Sequence, residues 1–134
     1  DVTAFDDCPG DSEFSAYNAV VELLGRGVPA DRITLSSDCN GSLPEFDANG
    51  DYAGMRVARN TELLGAWQKL VRDGVLGLGD ALGLVAGNVA RVLGLQWHKG
   101  RLATGFAADV ALIDADLQPR QTFAAGRRIF LDAG

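Results

Sequence analysis

Residues 32–42 read Arg32-Ile33-Thr34-Leu35-Ser36-Ser37-Asp38-Cys39-Asn40-Gly41-Ser42. The first seven are short-run, β-branched at the start and bounded by turn residues, which predicts a strand over 32–38. Strand alternation puts Thr34, Ser36 and Asp38 on one face and Ile33, Leu35 and Ser37 on the other. Upstream, Asp11 or Ser12 is a candidate N-cap for a helix over 12–24. Phe14, Tyr17, Val20, Val21 and Leu24 recur there at helical spacing. Gly25 and Gly27 offer a stop, and Pro29 and Asp31 supply a turn. A helix, a short turn and a strand is the rhythm of an α/β protein with parallel strands.

Downstream, residues 39–54 are rich in Gly, Asn, Asp and Pro and read as a long loop of functional or mobile character. A second helix is expected from Asn60 or Thr61, with Thr61, Leu63, Leu64, Trp67, Leu70 and Val71 on its apolar side and Asp73-Gly74 at its end. A third opens near Gly79-Asp80 and carries Leu82, Val85, Val89, Val92 and Leu93, with Gly87-Asn88 expected to break it in two. The tail changes character. Residues 109–114 read as a strand, and 121–130 as a hairpin turning near Gly126. The expected division is therefore a mixed α/β part over 1–97 and a small β part over 98–134.

Composition narrows the class. The chain has 134 residues, 47% hydrophobic and 22% charged, with a formal charge of −6. That is globular rather than disordered usage. The acidic balance speaks against nucleic acid and anionic membrane as partners, because both recruit clustered Lys and Arg. No apolar run suggests a membrane span, and the start shows no signal-peptide pattern. Two cysteines, Cys8 and Cys39, fit a reducing, cytoplasmic setting better than a disulfide framework, with a Cys8–Cys39 bond as the alternative. The acidic set Asp6, Asp7, Asp11 and Glu13 lacks the spacing of a calcium loop and reads as helix-start charge.

Three segments together resemble the C-terminal portion of the isoaspartyl dipeptidases, metal-dependent amidohydrolases. Ile33–Ser42 is similar to the family's Ser-Ser-Asp-Gly-Asn-Gly-Ser segment at the end of the eighth barrel strand. Gly87–Leu95 resembles the helix that follows. Lys99-Gly100-Arg101-Leu102-Ala103-Thr104-Gly105-Phe106-Ala107-Ala108-Asp109-Val110 resembles the Lys-Gly-x-Ile-x-x-Gly-x-x-Ala-Asp-Leu pattern common across amidohydrolases. The implied fold is α/β: the last strand–helix units of a TIM-type (β/α)8 barrel plus part of a small C-terminal β-sandwich. The absence of Met at position 1 adds to the expectation that the chain is a portion.

The resemblance implies roles residue by residue. Barrel enzymes gather catalytic groups at the C-terminal ends of their strands. Asp38 matches the family's metal ligand and proton shuttle; read by itself it is a strand-ending Asx-turn residue. Ser42 matches a substrate-contacting hydroxyl, or is a solvated loop serine. Gly41 allows close backbone approach to a substrate, or gives a positive-φ turn. Asn40 reads as a loop-holding side chain. Cys39 departs from the family's Gly. The bland reading is a small buried side chain in an altered loop; a thiolate is also a zinc ligand. His98 reads as solvated, and Trp67 and Trp97 as core or junction packing.

The implied activity is zinc-dependent hydrolysis of β-aspartyl dipeptides, with a binuclear zinc centre and a small dipeptide as substrate. The family's His-x-His, its carboxylated Lys and its two later histidines have no counterpart here, since His98 is the single histidine. The chain alone is therefore expected to be inactive and to need the N-terminal portion of the same protein. A homo-oligomer is left open. Other readings are a D-aminoacylase or dihydroorotase-like amidohydrolase, and a noncatalytic structural or interaction fragment.

Overall fold

The computed structural model describes residues 1–4 and 15–132. Phe14, Cys8, the Asp11 and Ser12 caps and the acidic set at 6–13 lie outside the described residues. The chain divides into two compact units, 1–89 and 90–134.

In the first unit, strand β1 (Val2–Thr3) pairs in parallel with β2 (Leu35–Ser36), in the register Val2↔Leu35 and Thr3↔Ser36. The expected strand over 32–38 is thus far shorter, because a 3-10 turn at Ala30–Arg32 precedes it and the chain turns at Asp38. The face assignment holds for its first half. The hydroxyls of Thr34 and Ser36 both donate to the Asp1 carboxylate, at 2.7 and 2.6 Å. Helix α1 (Ala16–Gly25) starts later than 12. Its N-cap is Ser15, whose hydroxyl accepts from the Asn18 N–H at 3.2 Å. Ala16 and Val20 are its buried residues, while Val21 is exposed. Gly27 takes a positive φ just past the helix end.

Residues 39–54 are not the expected loop. Strands β3 (Ser42–Phe46) and β4 (Tyr52–Val57) form an antiparallel hairpin. The turn residues that suggested a loop are concentrated at its tip. There Asp47 accepts from the N–H groups of Asn49 and Asp51 at 2.8 and 3.0 Å. Those bonds hold the Asp47 carboxyl below its ordinary range.

Helix α2 (Asn60–Arg72) runs as expected and ends with Gly74 at φ +70. Glu62, Ala66, Trp67, Gln68 and Leu70 are its buried residues, and Thr61 is exposed. The Lys69 ammonium lies 4.2 Å from the centre of the Tyr17 ring and 2.6 Å from Asp73, tying α1 to α2.

Helices α3 (Leu78–Leu82) and α4 (Asn88–Val92) are joined by a π-helical turn, Gly83–Gly87, rather than broken at Gly87-Asn88. The wider turn moves the buried face to Ala81, Leu84 and Asn88, leaving Leu82 and Val92 exposed. Asn88 explains the turn's position. Its amide donates to the carbonyls of Ala30 at 2.9 Å and Ile33 at 2.7 Å. Those two acceptors sit beside β2; the Ala30 carbonyl also accepts from the Ile33 N–H, while the buried Ile33 carbonyl takes its bond from Asn88.

In the second unit, β5 (Val110–Ile113), β6 (Pro119–Ala124) and β7 (Arg127–Leu131) form an antiparallel sheet in that order. The hairpin turns at Ala125-Gly126, both at positive φ, the requirement of a two-residue type I′ turn. Lys99 and Asp109, the ends of the Lys-Gly…Ala-Asp pattern, are ion-paired. Asp109 also accepts from the Ala125 N–H at 2.8 Å. The pattern therefore has a local physical reason, since it closes a turn onto the tip of the β6–β7 hairpin. Trp97 is 69% exposed, so within this chain it is not core, whereas Trp67 is buried. The architecture is mixed α/β, with one parallel strand pair and antiparallel segments. The described residues close no barrel.

Candidate functional site

The segment after β2 is shaped by its own backbone. Asp38 has φ +46 and Asn40 φ +66, both left-handed. Asp and Asn tolerate that region better than other side chains. The turn closes with a Gly41 N–H to Asp38 carbonyl bond at 2.7 Å, and the Ser37 hydroxyl accepts from the Cys39 N–H at 3.2 Å. Two further bonds stitch the segment to the end of the hairpin. The Asn40 N–H donates to the Ala58 carbonyl at 3.1 Å, and the Ala58 N–H donates to the Gly41 carbonyl at 3.0 Å. Ala58 is buried, so the anchor is inside the unit.

Asp38, Cys39 and Asn40 are exposed. The strand ends at Ser36, so alternation does not set the direction of Asp38; the left-handed turn does. A Cβ placed on Gly41 would lie 2.6 Å from Asp38 Oδ2 and 2.8 Å from the Asp38 carbonyl oxygen. The carboxylate thus folds over the bare Cα of Gly41. Gly41 itself is not at positive φ, so the expected left-handed glycine is replaced by a requirement for space. Cys39 is also corrected. It is an exposed free thiol, not a small buried side chain, and its neighbours carry the left-handed conformations. The side chain is thereby accommodated without backbone strain. Ser42 begins β3, opposite Val57, with both exposed. The next pair, Pro44 and Met55, continues the same exposed face.

On the inner side of this hairpin lies a charged group that sequence reasoning does not single out. Glu62, in the first turn of α2, is 5% exposed, and its Oε1 is 3.1 Å from Arg56 Nη1. Helix-start acids are common and favourable, so Glu62 looked ordinary. Its partner Arg56 lies on β4, in the segment expected to be a loop.

Among the described residues, no group of three or more His, Cys, Asp or Glu is placed to hold a metal ion. A catalytic zinc usually takes three protein ligands. Asp38 can offer a single carboxylate, and His98 lies in the second unit, exposed to solvent. The residues present do not fit a binuclear centre by themselves.

Among solved structures the chain is similar to hydrolytic enzymes, a dipeptidase and a deacetylase, each matched over part of its length. At 30% identity, a β-aspartyl dipeptidase from the thermophilic, keratin-degrading Fervidobacterium islandicum AW-1, solved with the β-Asp-Leu dipeptide, aligns with 98% of this chain and 33% of its own, at a TM-score of 0.77. A second structure of that dipeptidase aligns at 24% identity over 98% of this chain and 31% of its own, at a TM-score of 0.71. An N-acetylglucosamine-6-phosphate deacetylase from Pasteurella multocida shares the fold at 16% identity, over 88% of this chain and 35% of its own, with a TM-score of 0.64. The chain thus spans about a third of the length of the structures it matches. No family model matches the sequence. No helix among the described residues is long and apolar enough to cross a membrane.

Proposed function

We propose that this chain supplies the last strand–helix units of a (β/α)8 amidohydrolase barrel, over 1–97, and strands of a small β-sandwich, over 98–134. In the complete protein it serves hydrolysis of the isopeptide bond of β-aspartyl dipeptides. The observation that carries the reading is the 30% identity over nearly the whole chain to a β-aspartyl dipeptidase. The exposed Asp38–Ser42 segment, stitched to Ala58, supports it, because it presents a carboxylate and a hydroxyl beyond the end of a parallel strand.

In this reading Asp38 is a metal ligand and the proton shuttle, accepting a proton from the attacking water and delivering it to the leaving amine. Gly41 leaves room for that carboxylate and for the substrate backbone, and Ser42 contacts the dipeptide. Zinc, when bound, supplies an acidified water and carbonyl polarisation. Its other ligands belong to the N-terminal portion of the protein, so the chain alone binds no zinc pair and hydrolyses nothing. The cytoplasm is the proposed compartment.

The full-length product of the gene, metal-loaded, tests this against a substrate panel. Turnover of β-aspartyl dipeptides, with none of N-acyl-D-amino acids or dihydroorotate, is the expected result. Preference for either of the latter moves the protein to another amidohydrolase activity. No turnover of any of them favours a structural or interaction role.

A further inference from the structure

Glu62 is a buried carboxylate that the proposed chemistry does not use. Its Oε1 meets Arg56 Nη1 at 3.1 Å and lies 3.8 Å from Arg59 Nε, while Oε2 has no hydrogen-bond partner among the described residues. The Arg56 side chain is itself largely buried, with Nε 3.6 Å from Glu45 Oε1 across the hairpin. Glu and Arg are almost never this buried unless paired. The hairpin is thus inverted, with charge on its inner side and Met55 and Val57 exposed on its outer side. A two-stranded hairpin is marginal by itself, and the Arg56–Glu62 pair ties it to α2.

Arg56 is two residues from Ala58, whose N–H and carbonyl bond Gly41 and Asn40. The connection from Glu62 to the Asp38–Ser42 segment is therefore short: a carboxylate, a guanidinium, two residues of chain and a pair of backbone hydrogen bonds. We propose that Glu62, acting through Arg56, is a positioning residue that holds Ala58 in place and so sets the geometry of Asp38 and Ser42. The link itself stands on the contacts above; its catalytic meaning rests on the dipeptidase reading.

Amide hydrogen exchange in the full-length protein separates the two. In Glu62→Gln, exchange at the Asn40 and Ala58 amides is expected to rise about tenfold, while Val20 and Leu70 stay within about twofold of wild type, as for local rather than global opening. In the same variant, kcat/KM for a β-aspartyl dipeptide is expected to fall about tenfold, since small misplacements are costly in catalysis. Arg56→Lys, which keeps a cation opposite Glu62, is expected to change both less than Arg56→Met does. Should Glu62→Gln lower the folded yield, Arg56→Met repeats the test with the apolar stem retained. Unchanged exchange at Asn40 and Ala58, or an equal rise at all four amides, overturns the proposal. A wild type that hydrolyses no β-aspartyl dipeptide sinks the dipeptidase reading, and the exchange result still decides the link.

Discussion

Gly41 has no space for a methyl group, because the carboxylate and carbonyl of Asp38 occupy it. Gly41→Ala must move backbone as well as the Asp38 side chain, and overpacking of that kind costs about 1–3 kcal/mol. Urea unfolding of the variant measures it, and a cost near zero would show that the turn reshapes freely. Ala125 is the opposite case. It holds a left-handed conformation that Asn adopts more readily, so Ala125→Asn is expected to stabilise the second unit by about 0.5–1 kcal/mol, read by the same method. The sequence singled out Asp38, Gly41 and Ser42 by their order and residue types. It misassigned the conformations, because a left-handed turn shared among Asp38 and Asn40 is not visible in composition. Cys39 looked like an intrusion only as long as its position was expected to need a glycine.

At the scale of elements, α2 was legible because a long amphipathic run and a terminal Asp-Gly leave little choice. The β3–β4 hairpin was not. Asp47, Asn49, Gly50 and Asp51 make its turn, Pro44 and Gly54 sit inside its strands, and Met55 and Val57 face outward, so the usual in–out alternation is reversed. The break expected at Gly87-Asn88 became a π turn because Asn88 is spent on two carbonyls of another segment, a long-range fact. Asn88→Ala removes both bonds and takes the side-chain donor from the buried Ile33 carbonyl, while the Ala30 carbonyl keeps the Ile33 N–H; a loss of about 1–3 kcal/mol is expected in thermal or urea unfolding. The β5–β7 sheet carries an acid sensitivity. Lys99, then the Ala125 N–H, hold the Asp109 carboxyl below its ordinary range, and the Gln118 N–H does so for Asp114. A carboxyl depressed in the folded state stabilises above its unfolded value of 3.8. That stabilisation disappears as pH falls through the lower folded value. Stability of these strands is therefore expected to be level above about pH 5 and to drop below it. Asp109→Asn should flatten that acid limb in a pH series of unfolding curves; an unaltered limb would remove Asp109 from the account.

At the scale of the whole molecule, each unit leaves large apolar side chains in solvent: Met55 and Val57 in the first, Trp97, Leu102 and Ile129 in the second. Contiguous exposed apolar surface marks a face that meets something else, and Met55 and Val57 share one face of β4. With a length about a third of its matches, the chain is proposed to rest on the remainder of a larger protein. Expressed alone it is expected to bind a hydrophobic dye such as ANS and to self-associate in light scattering, and the full-length protein to do neither. A monodisperse chain without dye binding would favour an independent module. The α/β class and the β tail were readable from periodicity, whereas the proposed barrel membership rests on motif resemblance, since one parallel strand pair does not define the size of its sheet. The central claim is that Asp38 belongs to a hydrolytic site acting on β-aspartyl bonds. Its most direct measurement is the steady-state hydrolysis of a β-aspartyl dipeptide by the full-length protein and its Asp38→Asn variant, with circular dichroism confirming that both are folded. The account predicts turnover by the wild type and a loss of about 10²–10⁴-fold in kcat for the variant; equal turnover by both would contradict it.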